Sequence, residues 1–190
     1  MEDKNSIGIK KIIVLVLLGI LTGFGLFIEL FGFINYRSYF SSGEYLNLVT
    51  YSITSLLLLY YAIKGYKIPH GNLLKYLFFL FAVSCLGGIL STASNRTTID
   101  IVYNYMRGVV VLMTAYIAGR LDRFKQNKIM MSIIGLIMFV SSLIESLPYF
   151  GTDIIGIFIC FTFFILWIDL MVVYIFRYNE HKEVGLIVKN

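Results

Sequence analysis

The sequence predicts an all-α integral membrane protein with six transmembrane helices. Of its 190 residues, 58% are hydrophobic and only 14% are charged. A soluble domain of this size needs far more polar surface to stay in solution. The hydrophobic residues are also grouped into runs of about 20 residues, the length that a helix needs to cross the ~30 Å hydrocarbon core of a bilayer. Polar stretches interrupt these runs at regular intervals, which is typical of a polytopic protein.

The predicted spans follow one another along the chain at residues 12–34, 46–64, 73–92, 101–119, 129–148 and 154–176. Polar or turn-forming stretches separate them at residues 35–44, 64–71, 91–100, 120–128 and 148–153. The first run is too long for a cleaved signal peptide, no A-x-A cleavage site follows it, and further spans come after it. Because the spans fill most of the chain, we expect a single membrane domain over residues 1–190 and no soluble catalytic domain.

Basic residues predict the orientation of these helices, because Lys and Arg accumulate on the cytoplasmic side of membranes. Thirteen lie in four segments on one side of the predicted bilayer, namely Lys4, Lys10, Lys11, Lys64, Lys67, Lys75, Arg120, Arg123, Lys125, Lys128, Arg177, Lys182 and Lys189. The opposite side has two, Arg37 and Arg96. We therefore expect a multi-pass protein of the cell membrane with both termini in the cytoplasm. This topology accounts for the net charge of +5, so we expect no nucleic-acid partner.

Each predicted helix has one stripe of small or polar residues at steps of three, four or seven, which lie on one helical face. In chain order the stripes are Thr22, Gly25, Glu29 and Gly32; Asn47, Tyr51 and Thr54; Ser84, Gly88 and Ser91; Tyr103, Arg107 and Thr114; Ser141, Ser142 and Glu145; and Thr162 and Asp169. Lipid offers no hydrogen bonds, so we expect the stripes to face the interior of the bundle.

Four of these stripe residues are charged groups within the predicted spans. At 1.5 Å per residue, Glu29 and Glu145 lie roughly 25 Å above the inner surface, Arg107 about 20 Å and Asp169 about 12 Å. Ionisable groups at such depths are functional candidates by default. We expect Glu29, Arg107 and Glu145 to share an outward-facing polar cavity, whereas Asp169, too deep to reach water, needs a partner or a proton.

These four residues are the candidate ligand-binding site. Two carboxylates against one guanidinium leave an excess negative charge, so the ligand would be a small cationic or zwitterionic solute. Two structural alternatives remain open: Glu29 and Glu145 could simply reach the outer headgroups, and Arg107 could pair with a carboxylate only to fix helix register. Aromatic residues near the same interface are explained by an aromatic belt, namely Tyr36, Tyr39, Phe40, Tyr103, Tyr149 and Phe150.

Gly19 and Gly23 form a small-x-x-x-small pattern on the first helix. Small residues four apart allow another helix to approach closely. The neighbouring helix could belong to this bundle, to a membrane protein partner or to a second copy in a homo-oligomer.

The sequence has no enzyme signature, metal-ligand spacing or phosphate-binding loop, so we expect no catalytic residues, no metal and no cofactor. Cys85 and Cys160 lie within predicted spans and are explained as buried free thiols. His70 and His181 lie away from the acidic residues. A membrane enzyme that uses two acids is the remaining catalytic alternative.

The six-helix topology, the length and the Gly19/Gly23 stripe resemble the substrate-binding S components of energy-coupling factor transporters. The resemblance implies a vitamin-sized ligand near the outer surface and docking of the first helix, through Gly19 and Gly23, on a transmembrane coupling subunit. The family usually has alanine in that stripe, and this helix has none.

The stretch at residues 103–124 is also similar in style to helices of the multi-helix membrane sensor domains attached to bacterial signalling proteins. No output domain follows the last span in this sequence, so a sensor of this kind would signal through a partner. The functional hypotheses are therefore a solute-binding transport component, a non-catalytic sensor or accessory protein, and a structural subunit.

Overall fold

The computed structural model describes residues 4–36, 41–64, 70–92 and 97–187, and all regular structure in these ranges is helical. The helices are α1 (Lys4–Tyr36), α2 (Ser42–Lys64), α3 (Gly71–Thr92), α4 (Thr98–Gly119), α5 (Phe124–Ser146) and α6 (Ile154–Ile187), and a 3₁₀ turn (Leu147–Tyr149) follows α5. Each of the six helices is long and apolar enough to cross a membrane. The predicted fold class is confirmed.

The outer surface of the bundle explains why the chain needs a bilayer. In its most apolar stretch each helix buries between 28% and 50% of its residues inside the protein. The remaining faces expose large apolar side chains, such as Ile20, Phe27, Leu112, Leu136 and Ile154. A continuous apolar surface of this kind is unstable in water but is well solvated by lipid.

The six helices form a closed ring in chain order. Each helix packs against the next one, and α6 returns to pack against α1. The α6 helix also contacts α2 and α3 across the ring, so it occupies the most central position. Its side chains Trp167, Leu166 and Leu170 are fully buried and join a core with Phe78 and Phe81 of α3.

The backbones of α2 and α3 approach each other closely. A Cβ atom placed on Gly87 would lie 2.7 Å from the carbonyl oxygen of Gly43 and 2.8 Å from the backbone nitrogen of Asn47. Only glycine leaves room for such contact between main chains. The Ser84 hydroxyl donates a 2.9 Å hydrogen bond to the Asn47 side chain in the same interface. Thus main-chain contact and a side-chain hydrogen bond hold α2 and α3 together as one closely packed pair of helices.

The α5 helix begins earlier than the predicted span at residue 129. The basic stretch at 120–128 was expected to be a loop, but α5 already starts at Phe124. Asn127 is fully buried there, and its side-chain nitrogen donates to the Tyr174 hydroxyl at 2.8 Å and to the Arg120 carbonyl at 2.7 Å. Charged residues on the exposed face of the first turn lower the hydropathy of the segment but do not prevent a helix. For this reason the hydropathy pattern placed the start of α5 too late.

The orientation of the bundle stays a prediction. Lys11 and Glu180 form an ion pair between the start of α1 and the end of α6. The guanidinium of Arg177 lies against Gly71 at the start of α3, so described cations of the expected cytoplasmic segments gather at one end. Arg37 and Arg96, the two basic residues expected on the opposite side, lie outside the described residues, as do Tyr39 and Phe40 of the expected aromatic belt.

Candidate functional site: a charge cluster inside the bundle

Arg107 of α4 and Glu145 of α5 form an ion pair within the bundle. The Arg107 Nη2 atom lies 3.5 Å from the Glu145 Oε1 atom. The Arg107 side chain is only 11% exposed, whereas that of Glu145 is 34% exposed. Glu145 is therefore the more accessible member of the ion pair, and Arg107 is the more deeply buried one.

Three further residues hold the Arg107 guanidinium in place. It lies 4.3 Å from the ring centre of Tyr103 and 5.3 Å from that of Phe163, distances typical of cation–π interactions. On α3, a side chain at Gly88 would overlap the guanidinium directly. Residues from α3, α4, α5 and α6 thus shape one pocket for a single cation. Tyr103 is buried in this pocket, so its assignment to the aromatic belt was wrong.

Glu29 of α1 reaches the same region from the other side of α6. The Thr162 hydroxyl lies 2.9 Å from the Glu29 carboxylate and 2.8 Å from the Ile159 carbonyl oxygen, and its single hydrogen is shared between these two acceptors. Glu29 lies within electrostatic range of Arg107. The stripes of the four helices therefore do bring Glu29, Arg107 and Glu145 together, and we call these three residues the outer charge cluster.

Tyr51 of α2 connects α2 with the α6 segment that carries Thr162. Its hydroxyl donates a 3.3 Å hydrogen bond to the Thr162 carbonyl. A Cβ atom on Gly25 would lie 2.8 Å from this hydroxyl, so the small residue in the α1 stripe makes room for it. The sequence indicated that Tyr51 and Gly25 face inward, but periodicity alone could not indicate that they touch.

Asp169 does not join the outer charge cluster. It lies two helical turns after Thr162 on α6, roughly 10 Å further along the helix axis. The side chain is buried, with 2% of its surface exposed. Neither of its carboxylate oxygens has a hydrogen-bond partner in the described part of the chain. The structure thus separates the four predicted ligand-binding residues into one cluster of three and one isolated acid.

Gly19 and Gly23 both face α2 of the same chain. A Cβ atom on Gly19 would lie 2.8 Å from the Cβ atom of Ala62 and 3.6 Å from Leu59 Cδ1, and one on Gly23 would lie 3.8 Å from Leu59 Cδ1. Of the neighbours that the sequence left open, the structure supports the helix inside the bundle. With α2 in place, this stripe is covered, so any partner helix must dock on another face.

Gly19→Ala is expected to lower the free energy of unfolding by about 1–2 kcal/mol, because the added methyl group overpacks the contact with Ala62. The compensating change Ala62→Gly in the same chain should recover most of that loss. Gly32→Ala on the same helix is the matched control, since a Cβ atom there has no neighbour within 4 Å. An SDS titration in mixed micelles measures all three variants. Equal stability of Gly19→Ala and Gly32→Ala would contradict the observed contact.

Two grooves on the described surface lie elsewhere. One of about 550 Å³ runs along the outer faces of α3 and α4 and is almost entirely apolar, with Leu86, Ile101 and Leu112 among its lining residues. A smaller one, of about 300 Å³, lies at the opposite end of the bundle beside Asp122, Arg177 and His181. Neither is lined by a member of the outer charge cluster. Within the described ranges, no group of three or more His, Cys, Asp or Glu side chains could hold a metal ion.

Sequence reasoning missed Asn127 as a determinant of the interior. Asn127 was placed in a loop, although it shares a helical face with the buried residues Met131, Ile134 and Met138. That periodicity was the signal that could have found it. Gly88 was placed on the correct face, but only the position of Arg107 explains why it must be glycine.

Comparisons of this chain with protein-family models, with curated proteins and with solved structures found no match. The functional argument therefore depends on the outer charge cluster and on the membrane-spanning fold that holds it.

Proposed function

We propose that this protein binds a small cationic or zwitterionic solute at the outer charge cluster and works as a transport component with partner subunits in the cell membrane. The observation that carries the proposal is an ion pair inside a membrane-spanning bundle, in which the Glu145 side chain remains one-third exposed. A second carboxylate, Glu29, lies within electrostatic range of the same guanidinium. Charges of this kind are costly inside a membrane and mark solute or ion sites in many transport proteins.

The charge balance of the cluster selects the class of solute. Arg107 neutralises one carboxylate, and the second carries an excess negative charge that a bound cation would offset. An ammonium group would bind at Glu145, which is the accessible member of the ion pair. If the solute is a zwitterion, its ammonium group would bind at Glu145 and its carboxylate would bind at Arg107. The rings of Tyr103 and Phe163 around the guanidinium provide apolar walls for the rest of the molecule.

A partner is part of the proposal because binding alone does not move a solute across a membrane. A six-helix bundle of this size resembles solute-binding transport components that use the energy of another subunit. The Gly19/Gly23 stripe is covered by α2, so the partner surface would be an apolar outer face of the ring. The alternative, a non-catalytic sensor or accessory protein, would act through helix–helix contacts with a signalling partner, and the identity of the co-purifying protein distinguishes the two.

Ligand-dependent stabilisation in lipid nanodiscs tests the proposal. Choline, L-lysine and glycine betaine are the cationic and zwitterionic probes, and L-glutamate is the anionic control. A bound probe at about 100 times its Kd adds about 2.7 kcal/mol to the free energy of unfolding. We expect at least one cationic or zwitterionic probe to raise the melting temperature of the wild type, and L-glutamate not to do so.

The matched variants are Glu145→Gln and Glu44→Gln. Glu145→Gln removes the accessible carboxylate and should abolish the stabilisation. Glu44→Gln makes the same chemical change at the start of α2, where the Glu44 carboxylate accepts a hydrogen bond from the Ser41 backbone and glutamine can do the same. Equal stabilisation of both variants would exclude Glu145 from the site, and stabilisation by L-glutamate alone would contradict the proposed charge class.

A further inference from the structure

A second polar site lies deeper in the bundle, around Asp169. The α6 helix contacts α1, α2, α3 and α5, so a residue on its inner face is enclosed on several sides. The two carboxylate oxygens of Asp169 are buried and have no hydrogen-bond partner among the described residues. The Ser55 hydroxyl of α2 is likewise buried, and the Tyr51 hydroxyl of the same helix interacts with it. Unsatisfied buried oxygens are rare in native proteins and call for an occupant or a proton.

The register of α1 against α6 identifies a third polar residue at this depth. Lys11 pairs with Glu180, and Glu29 pairs with Thr162. Lys11 and Glu29 are as many residues apart on α1 as Thr162 and Glu180 are on α6. This is expected for two antiparallel helices with the same rise per residue. The same register places Thr22 at the level of Asp169, because Thr22 follows Lys11 by as many positions as Asp169 precedes Glu180. Thr22 is also 2% exposed.

The α2 helix brings Ser55 and Tyr51 to the same region. Along α2, the Tyr51 hydroxyl lies against Gly25, and Leu59 lies against Gly19 and Gly23. Ser55 is midway between these two contacts and therefore close to the level of Thr22. Tyr51 lies within electrostatic range of both Asp169 and Glu29. We call Thr22, Tyr51, Ser55 and Asp169 the inner polar pocket.

No described cation compensates the charge of Asp169. The two ion pairs of the described residues join Lys11 to Glu180 and Arg107 to Glu145. The lysines of the helices packed against α6 lie at the expected cytoplasmic end. The titratable groups that these helices carry away from that end are Glu29, Tyr36, Glu44, Tyr45, Tyr51, Cys85 and Glu145. None of these groups is cationic, and an ionised carboxylate without a cation is strongly disfavoured at this depth.

We propose that Asp169 is a proton-binding site in the middle of the membrane, with an exchangeable proton on its carboxyl group at neutral pH. The Asp169 carboxylate takes one proton to give a neutral carboxylic acid, and it releases the same proton when it ionises. The acid form has one O–H donor. Ser55 and Thr22 are the hydroxyl side chains that the register places at that level, and neither is hydrogen-bonded to Asp169 in this structure. This inference goes beyond solute binding at the outer charge cluster and does not depend on it.

Infrared difference spectroscopy in lipid nanodiscs tests the site without any solute. The C=O stretch of a protonated carboxylic acid is separate from the bands of carboxylates, and ¹³C-labelled aspartate shifts it further. At neutral pH we expect a label-sensitive acid band in the wild type, its complete loss in Asp169→Asn, and its reversible loss in the wild type as the pH is raised. Asp153→Asn should retain the band. The Asp153 carboxylate accepts a 2.9 Å hydrogen bond from the Ile155 backbone at the exposed start of α6, and asparagine can keep that cap.

Three results would overturn the assignment. The first is the absence of an acid band in the wild type at neutral pH. The second is an acid band that survives in Asp169→Asn while the fluorescence of the buried Trp167 confirms that this variant is folded. The third is an ionised Asp169 whose carboxylate bands respond to sodium, which would make the inner polar pocket a sodium site. Because these measurements contain no solute, failure of the outer charge cluster to bind choline, lysine or betaine would leave their outcome unchanged.

Discussion

Replacing Arg107 with glutamine is expected to lower the free energy of unfolding by about 3 kcal/mol. The change leaves Glu145 and Glu29 in the bundle without their cation, and loss of one partner of a buried ion pair typically costs about 3–5 kcal/mol. We expect the lower end because Glu145 is 34% exposed and water screens part of its charge. The measurement is an SDS titration of the purified protein in mixed micelles.

The double variant Arg107→Gln/Glu145→Gln separates the ion pair from the packing of the arginine side chain. Removal of both charges avoids an uncompensated carboxylate, so the double variant should be more stable than Arg107→Gln alone. A double-mutant cycle gives the interaction free energy between the two residues. If the two single changes simply add, the contact between Arg107 and Glu145 contributes nothing, and the geometry of the outer charge cluster is wrong.

Gly87→Ala is expected to destabilise the bundle by about 3 kcal/mol, at or beyond the upper end of ordinary overpacking. The added methyl group would meet the Gly43 carbonyl oxygen and the Asn47 backbone nitrogen. Both obstacles are main-chain atoms, so no side-chain rotation can relieve the overlap and α2 must move away from α3. The higher helix propensity of alanine recovers only about 1 kcal/mol.

Gly108→Ala is the matched control for this effect. Gly108 also lies within a membrane-spanning helix, but a Cβ atom there has no neighbour within 4 Å. We therefore expect unchanged or slightly increased stability, again measured by SDS titration. Similar behaviour of Gly87→Ala and Gly108→Ala would mean that α2 and α3 are not in backbone contact.

The spans could be predicted from the sequence because hydrophobicity and helix length are set by the bilayer. The same reasoning predicted which face of each helix is polar, because the hydrocarbon core offers no hydrogen bonds to Glu29, Arg107 or Glu145. Because the stripes give the face of each residue and the sequence position gives its depth, these three residues could be expected in the same region of the interior. Their roles as ligand-binding residues remain predictions, which the proposed variants test.

The pairing of particular residues could not be predicted, because periodicity gives a face and a depth but not the neighbouring helix. Thus Gly19 could be recognised as a contact residue, whereas its partner Ala62 could not. Asp169 shares a stripe with Thr162, yet only the register between α1 and α6 indicates that it lies at the level of Thr22. The buried Asn127 was missed because basic neighbours masked the first turn of α5.

Native mass spectrometry of gently extracted protein, beside Glu145→Gln, tests the central claim most directly. The wild type is expected to retain a small molecule whose mass corresponds to a cationic or zwitterionic solute, and Glu145→Gln is expected to lose it while keeping its bound lipids. The mass would then identify the solute for transport assays. Identical spectra of the two proteins, apart from the mass of the substitution itself, would contradict solute binding at the outer charge cluster.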